Sequence, residues 1–377
     1  KPAELPDVDV QARLASRVRE IGFPGVALVD AVDLLGQLSG LEVTFDTDAM
    51  ADLGATIRDP VTVELTDATL GEVLEAVLAA RGLQYAVENG QILITVAAKR
   101  RNVLRSAEYT VADLTGPELA STAQLAETIE RFVVPDTWSR SGGRGTIEPA
   151  NGLLEVVQTD AVHAQVATFC EKLRTARKLP LRSREAPERF ALATRWDLAR
   201  AKLDQPITAN FFEPTGLERI VSDLEQVSGS RILIDRMAMA AQGAPSQLTA
   251  KLSADERPLG EALDELLRPL GLGFRVIDAQ TLQITTRQAV AARPELEFYP
   301  FADLLAEGET GSALMEKIRA QVAGGTWSDA NGPGVLGFDK PSRCLLVLQS
   351  QPVQFELQAL LQRWRAERAT RQPSVNP

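Results

Sequence analysis

The chain has 377 residues, a net charge of −11, 45% hydrophobic and 24% charged residues. That length predicts two or more domains, and the composition excludes wholesale disorder. Aromatic residues make up only 5%, so the cores must be built from aliphatic side chains. No apolar run approaches the ~20 residues of a membrane span, so direct membrane insertion by this chain is not expected. The acidic excess is concentrated in residues 1–177, with 26 acidic against 16 basic residues, which speaks against a nucleic-acid partner. One histidine, His163, and two cysteines, Cys170 and Cys344, leave no HExxH motif and no zinc cluster. No cofactor or metal is expected. The chain opens on Lys1 rather than Met, so an upstream segment is expected to have been removed.

Set against itself with a shift of 189 residues, the chain repeats. Leu28, Val32 and Leu35 fall on Leu217, Val221 and Leu224, an i, i+4, i+7 stripe that predicts a helix. Gly40 and Gly229 sit where a left-handed residue would end it. A short strand follows (Val43, Thr44, Phe45; Ile232, Leu233, Ile234), then a variable loop. An alternating strand comes next. Val61, Val63 and Leu65 are set against Leu248, Ala250 and Leu252, a displacement of two residues from the general shift. A second helix carries Leu70, Val73, Leu74, Val77 and Leu78, matched by Leu259, Ala262, Leu263, Leu266 and Leu267. Gly82 and Gly271 end it, with Pro269 stopping the second copy earlier. A hairpin closes this first module through the turn Glu88-Asn89-Gly90.

The next module opens extended at Tyr109 and Tyr299. A helix through Leu125, Ile129 and Val133 leads to Thr137-Trp138-Ser139, copied as Thr326-Trp327-Ser328, and to a glycine-rich connection. The strand Leu153–Gln158 then enters a last helix with Val162, Val166, Phe169 and Leu173. Its copy, at a shift of 191, carries Val353, Leu357, Leu360 and Trp364. A short helix is expected around 196–202, and residues 372–377 read as a frayed tail.

The pattern Leu259-Gly260-Glu261-Ala262-Leu263, Gly271-Leu272-Gly273-Phe274 and Leu282-Gln283-Ile284-Thr285 resembles the short N-terminal domain of secretins and TonB-dependent receptors. The string Trp138, Gly142-Gly143, Gly145, Val156-Val157-Gln158-Thr159, Val162-His163 resembles the small domain that follows it in secretin-like proteins of planctomycetes. The predicted fold is α+β: a tandem repeat of small two-layer modules, each a short mixed sheet with two helices on one face. The expected units are 23–100, 105–177, 207–289 and 295–369, with a linker at 178–206. The resemblance implies a non-enzymatic structural or interaction protein of the periplasm or cell envelope. It would bind protein partners, itself included, within an oligomeric assembly. A ligand- or partner-sensing signalling module of the TonB-receptor type is the alternative. No membrane β-barrel segment follows the second copy, so pore formation is not expected of this chain.

The candidate partner-binding or structural loops are Trp138, Gly142, Gly143 and Gly145 in copy one and Trp327, Gly332 and Gly334 in copy two. A Trp followed by glycines can grip a partner or an anion. It can equally plug a core, with glycines supplying positive-φ turns. Asn331 and Pro333 interrupt the pattern in the second copy. His163 reads as a solvated helix-start residue, and Cys170 and Cys344 as buried free thiols. Asp30/Asp33 and Asp46/Asp48 read as helix surface and strand-end turn rather than a cation site. The run Lys99-Arg100-Arg101 reads as linker charge.

Overall fold

A computed structural model describes residues 9–88, 90–97, 103–116, 119–245, 247–305 and 310–371. Asn89 of the hairpin turn, the run Lys99-Arg100-Arg101 and the tail 372–377 lie outside the described residues.

In order, the first copy is α1 Val10–Leu14, β1 Arg17–Ala27, α2 Leu28–Ser39, β2 Val43–Phe45, α3 Thr47–Asp52, β3 Pro60–Thr69, α4 Leu70–Ala79, β4 Leu83–Glu88, β5 Gln91–Val96, β6 Arg105–Thr110, α5 Thr122–Phe132, β7 Thr146–Ala150, β8 Leu153–Gln158 and α6 Asp160–Ala176. The second is α7 Arg195–Leu203, β9 Pro206–Gly216, α8 Leu217–Ser228, β10 Arg231–Ile234, α9 Arg236–Ala241, β11 Thr249–Pro258, α10 Leu259–Leu267, β12 Leu272–Asp278, β13 Thr281–Thr286, α11 Arg287–Ala291, β14 Pro294–Pro300, α12 Gly311–Gln321, β15 Val335–Asp339, β16 Cys344–Ser350 and α13 Gln351–Arg371. The strand orders agree throughout: β1-β3 with β9-β11, β2-β5-β4 with β10-β13-β12, and β6-β8-β7 with β14-β16-β15.

The fold is α+β, built from repeated small modules. The sheet is mixed only in the first module, where β2 runs parallel to β5 and β4 antiparallel to it. A parallel pair needs a long crossover, and α3, β3, α4 and β4 supply it. The sheet of the second module is antiparallel throughout.

The helix ends follow from local chemistry. Gly40 and Gly229 take φ of 63° and 65° at the ends of α2 and α8. Thr69 and Glu72 form a capping box on α4, and Ser121 and Gln124 one on α5.

Two expectations are corrected. The strand Arg17–Ala27 that pairs with β3, and its copy β9, stood in no predicted element; residue 23 falls inside β1. Within β1, Pro24 and Gly25 mark a break in register, with Gly25 at φ 77°. The two-residue displacement between β3 and β11 is absent. Phe23 opposes Val63 and Phe211 opposes Leu252, so Val63 matches Leu252 at the general shift of 189. Asp67 and Glu256, 189 residues apart, both take a positive φ, 51° and 47°.

Candidate interaction surfaces

The Trp loops fold inward. Trp138 and Trp327 are 0% and 2% exposed. Each indole N–H donates to a backbone carbonyl five residues earlier, Val133 at 2.7 Å and Val322 at 2.9 Å. Gln158 and Gln349 clamp the loops by donating to the hydroxyls of Thr137 and Thr326, both at 2.9 Å. A Cβ on Gly143 or Gly332 would meet the preceding threonine's carbonyl oxygen at 2.2 Å. One on Gly145 or Gly334 would meet the glutamine amide at 1.9 and 2.2 Å. The glycines are therefore required by close approach. Gly142 instead supplies the left-handed turn at φ 89°, and Asn331 takes the same role at φ 62°. Asn331 preserves the loop rather than interrupting it. No indole face is left for a partner.

His163 is half-buried rather than solvated. Its Nδ1 lies 2.8 Å from the Tyr109 hydroxyl and its Nε2 3.0 Å from the Arg105 carbonyl, tying α6 to β6. In the second copy Gln354 meets the Tyr299 hydroxyl at 2.8 Å. Asp46 caps α3 through the Ala49 N–H. Asp33 pairs with Arg231, and Asp48 with Arg275 and Arg293. Among the described residues no group of three or more His, Cys, Asp or Glu is placed to hold a metal ion. None of the described helices is long and apolar enough to cross a membrane.

The strongest surface is one the molecule already uses. All seven residues of β16 are buried. Leu345 and Val347 face their own helices, while Cys344, Leu346 and Leu348 join the core of the first copy's second module. There α5 and α6 of copy one lie on the outer face of the copy-two sheet, with Phe132 of α5 against Gly337. Phe169 packs on Phe298 with ring centroids 5.8 Å apart. Arg177 makes a two-pronged pair with Asp339 at 3.0 and 2.6 Å and donates to the Leu114 carbonyl at 2.7 Å. Burial raises the Glu297 carboxyl against the opposing pull of Lys172 and Arg195. Both thiols lie in this joint core, and burial pushes Cys170 and Cys344 up to about 12.

A second junction joins the first modules. Arg275 on β12 is 2% exposed. It donates to Gln283 at 3.0 Å, to Thr47 at 3.0 Å and to Asp48. Burial works to raise the Asp48 carboxyl, but the Arg275 charge and hydrogen bond outweigh it and hold it below the usual range.

Sequence reasoning missed a repeated clamp. Arg174 donates to Asp113 at 2.8 Å and to the Thr110 carbonyl at 3.0 Å. Arg365 does the same with Asp303 at 2.7 Å and the Pro300 carbonyl at 2.8 Å. Both pairs match across the copies at shifts of 190 and 191, a signal the alignment held.

The same sheet face in copy one is open. Glu108, Glu155 and Glu148 stand directly opposite one another across its three strands, all exposed. Their copy-two counterparts are Phe298, Leu346 and Gly337.

No family model and no curated protein sequence matches the chain. Among solved structures, it is similar to a cysteine-variant dimer of the N-terminal domain of the secretin XcpQ from Pseudomonas aeruginosa. The identity is 9% and the TM-score 0.17, covering 92% of this chain and 98% of that one. The unmutated N-terminal domain gives 11% identity and a TM-score of 0.16, covering 92% of this chain and 96% of that one. The GspC–GspD complex of the type II secretion system of enterotoxigenic Escherichia coli gives 18% and 0.15, covering 42% and 97%. At these TM-scores the likenesses carry no argument about fold or role.

Proposed function

We propose that this chain is a non-enzymatic interaction protein of the bacterial cell envelope, working in the periplasm as part of an oligomeric assembly. Its partners are proteins, further copies of itself among them. The observation that carries the reading is the seating of α6 on the copy-two sheet. Module-on-module docking through an apolar sheet face, a Phe pair and a buried Arg–Asp pair is already how this chain holds itself together. The modules fall in a size range where one core gives limited stability, so such faces gain by being covered. The titratable groups described above serve as caps, clamps and junctions. The sensing alternative of the TonB-receptor type predicts a monomer that changes shape with a ligand.

Light scattering on size-separated protein, from micromolar to about 100 µM, tests this. Species larger than one chain, reversible with dilution, are the expected result. A strict monomer across that range, with no protein captured from an envelope extract, overturns it.

A further inference from the structure

The two copies differ at one strand edge. In copy one, β6 is an edge strand. The Val111 N–H donates to the Gly152 carbonyl on the β8 side. Alternation therefore turns the backbone groups of Ser106, Glu108 and Thr110 outward. The Thr110 carbonyl is taken by Arg174 and Arg182, at 3.0 and 3.2 Å. Among the described residues nothing pairs with the outward backbone of Ser106 or Glu108. In copy two the Phe301 N–H donates to the Arg343 carbonyl, so Pro294, Leu296, Phe298 and Pro300 face outward on β14. Two of those four lack an N–H. Proline on an edge is a standard block to strand pairing, and β6 has none.

The space beside the edge differs in the same sense. In copy two it is filled by the chain itself. Trp196 packs on Phe355 with centroids 4.5 Å apart, the Arg195 N–H donates to Glu297 at 3.1 Å, and Gln358 donates to Asp197 at 2.6 Å. The copy-one counterparts of Phe355 and Gln358 are Ala164 and Ala167. There a cavity of about 350 Å³ lies between β6, α6 and residues 182–190, its wall combining Ala164, Ala167, Tyr109 and Phe190 with the charged Glu171, Arg174 and Arg182.

The outer face supplies the third observation. Like charges directly opposite on neighbouring strands destabilise a sheet, and the row Glu108–Glu155–Glu148 places three. A strand added beyond Glu108 brings a fourth residue into that row.

We infer that the open edge of β6 accepts an extended segment of a partner protein with alternating apolar and basic side chains. Its apolar residues enter the cavity on the α6 side. Its basic residues line up with Glu108 on the outer face, and its backbone pairs with Ser106 and Glu108. This names the contact within the partner-binding reading above and rests on it.

The probe is a blocked, fluorescein-labelled octapeptide of alternating lysine and valine with one central phenylalanine, titrated against the full chain. Saturable binding with slowed hydrogen exchange in residues 105–110 is expected. A peptide N-methylated at alternate residues should lose it. Ala164→Phe fills the cavity as Phe355 does in copy two, and Ser106→Pro removes an outward N–H from the edge. Each should weaken binding at least tenfold. Glu108→Lys should do the same without touching the core, which keeps the test decisive if either other variant misfolds. No binding at millimolar peptide, or binding indifferent to the variants and to N-methylation, overturns the proposal. If self-association by light scattering persists in that event, only the edge site falls.

Discussion

Phe169 of the first copy and Phe298 of the second pack with ring centroids 5.8 Å apart, tilted by 56°. This pair makes two duplicated halves share one core. Each ring is at most 1% exposed. Phe169→Ala should therefore cost about 3–5 kcal/mol, the range for a buried Phe. The loss should appear as a lower denaturation midpoint for both halves together. Leu153→Ala, on the open face of the other sheet, should cost under about 1 kcal/mol. Equal effects would contradict the shared core.

The glycine positions of the Trp loop separate by mechanism. Gly143→Ala drives a methyl against the Thr137 carbonyl and should destabilise by more than about 2 kcal/mol, as should Gly332→Ala. Gly142→Asn copies Asn331, with open space around the Cβ, and should cost less than about 1 kcal/mol. Thermal melts of the three variants check the order.

Much of this was legible in the sequence, for stated reasons. The stripe Leu28, Val32, Leu35 and its closing Gly40 predict a helix because periodicity and a left-handed cap are local properties. β1 was not legible because its partner β3 lies two helices and a strand away and its one bulge carries Pro24 and Gly25. The inter-repeat face was half visible. The run Cys344-Leu345-Leu346-Val347-Leu348 is apolar on both alternations, which marks a strand covered on two sides. Leu153-Leu154-Glu155 breaks that pattern, as a one-sided strand does. What covers the second side is a tertiary fact: no spacing shows that α6 of the other copy lies there. The Trp loops left two readings open because burial of an indole depends on the core around it.

The two carboxyls that tie α3 into its surroundings should oppose each other in pH. Asp48 is held below the usual range, chiefly by Arg275 against burial. Its contribution is present above its ordinary pKa near 4 and is lost as pH falls through the lowered value. Asp52 goes the other way. Burial first, with Asp48 and Asp46 adding, raises it to about 6 despite the Gln165 hydrogen bond. The folded state then binds the proton more readily, so stability falls as pH rises from about 4 to about 6, and the loss is complete above that. Asp52→Asn should raise the melting temperature at pH 8 and leave it nearly unchanged at pH 4. A gain at pH 4 equal to that at pH 8 would refute the assignment.

The two cysteines give the last test, because they report directly on the joint core. Cys170 and Cys344 are 2% and 1% exposed, unbonded, and packed within one cluster drawn from both copies. Burial raises each thiol to about 12, so almost no thiolate exists at pH 8. The thiolate is the nucleophile, so neither should react with a disulfide reagent in the native protein at that pH. Both should react within the mixing time in denaturant. Opening the inter-repeat face alone uncovers β16, where Cys344 lies, and Phe298→Ala should do this in part. In that variant Cys344 should become reactive before Cys170, which sits on α6 and stays packed in its own module's core. Mass spectrometry of the labelled peptides distinguishes the two. Labelling of both at equal rates would mean that the copies come apart only by global unfolding. Labelling of either in the unmodified native chain would mean that the α6 face is not closed.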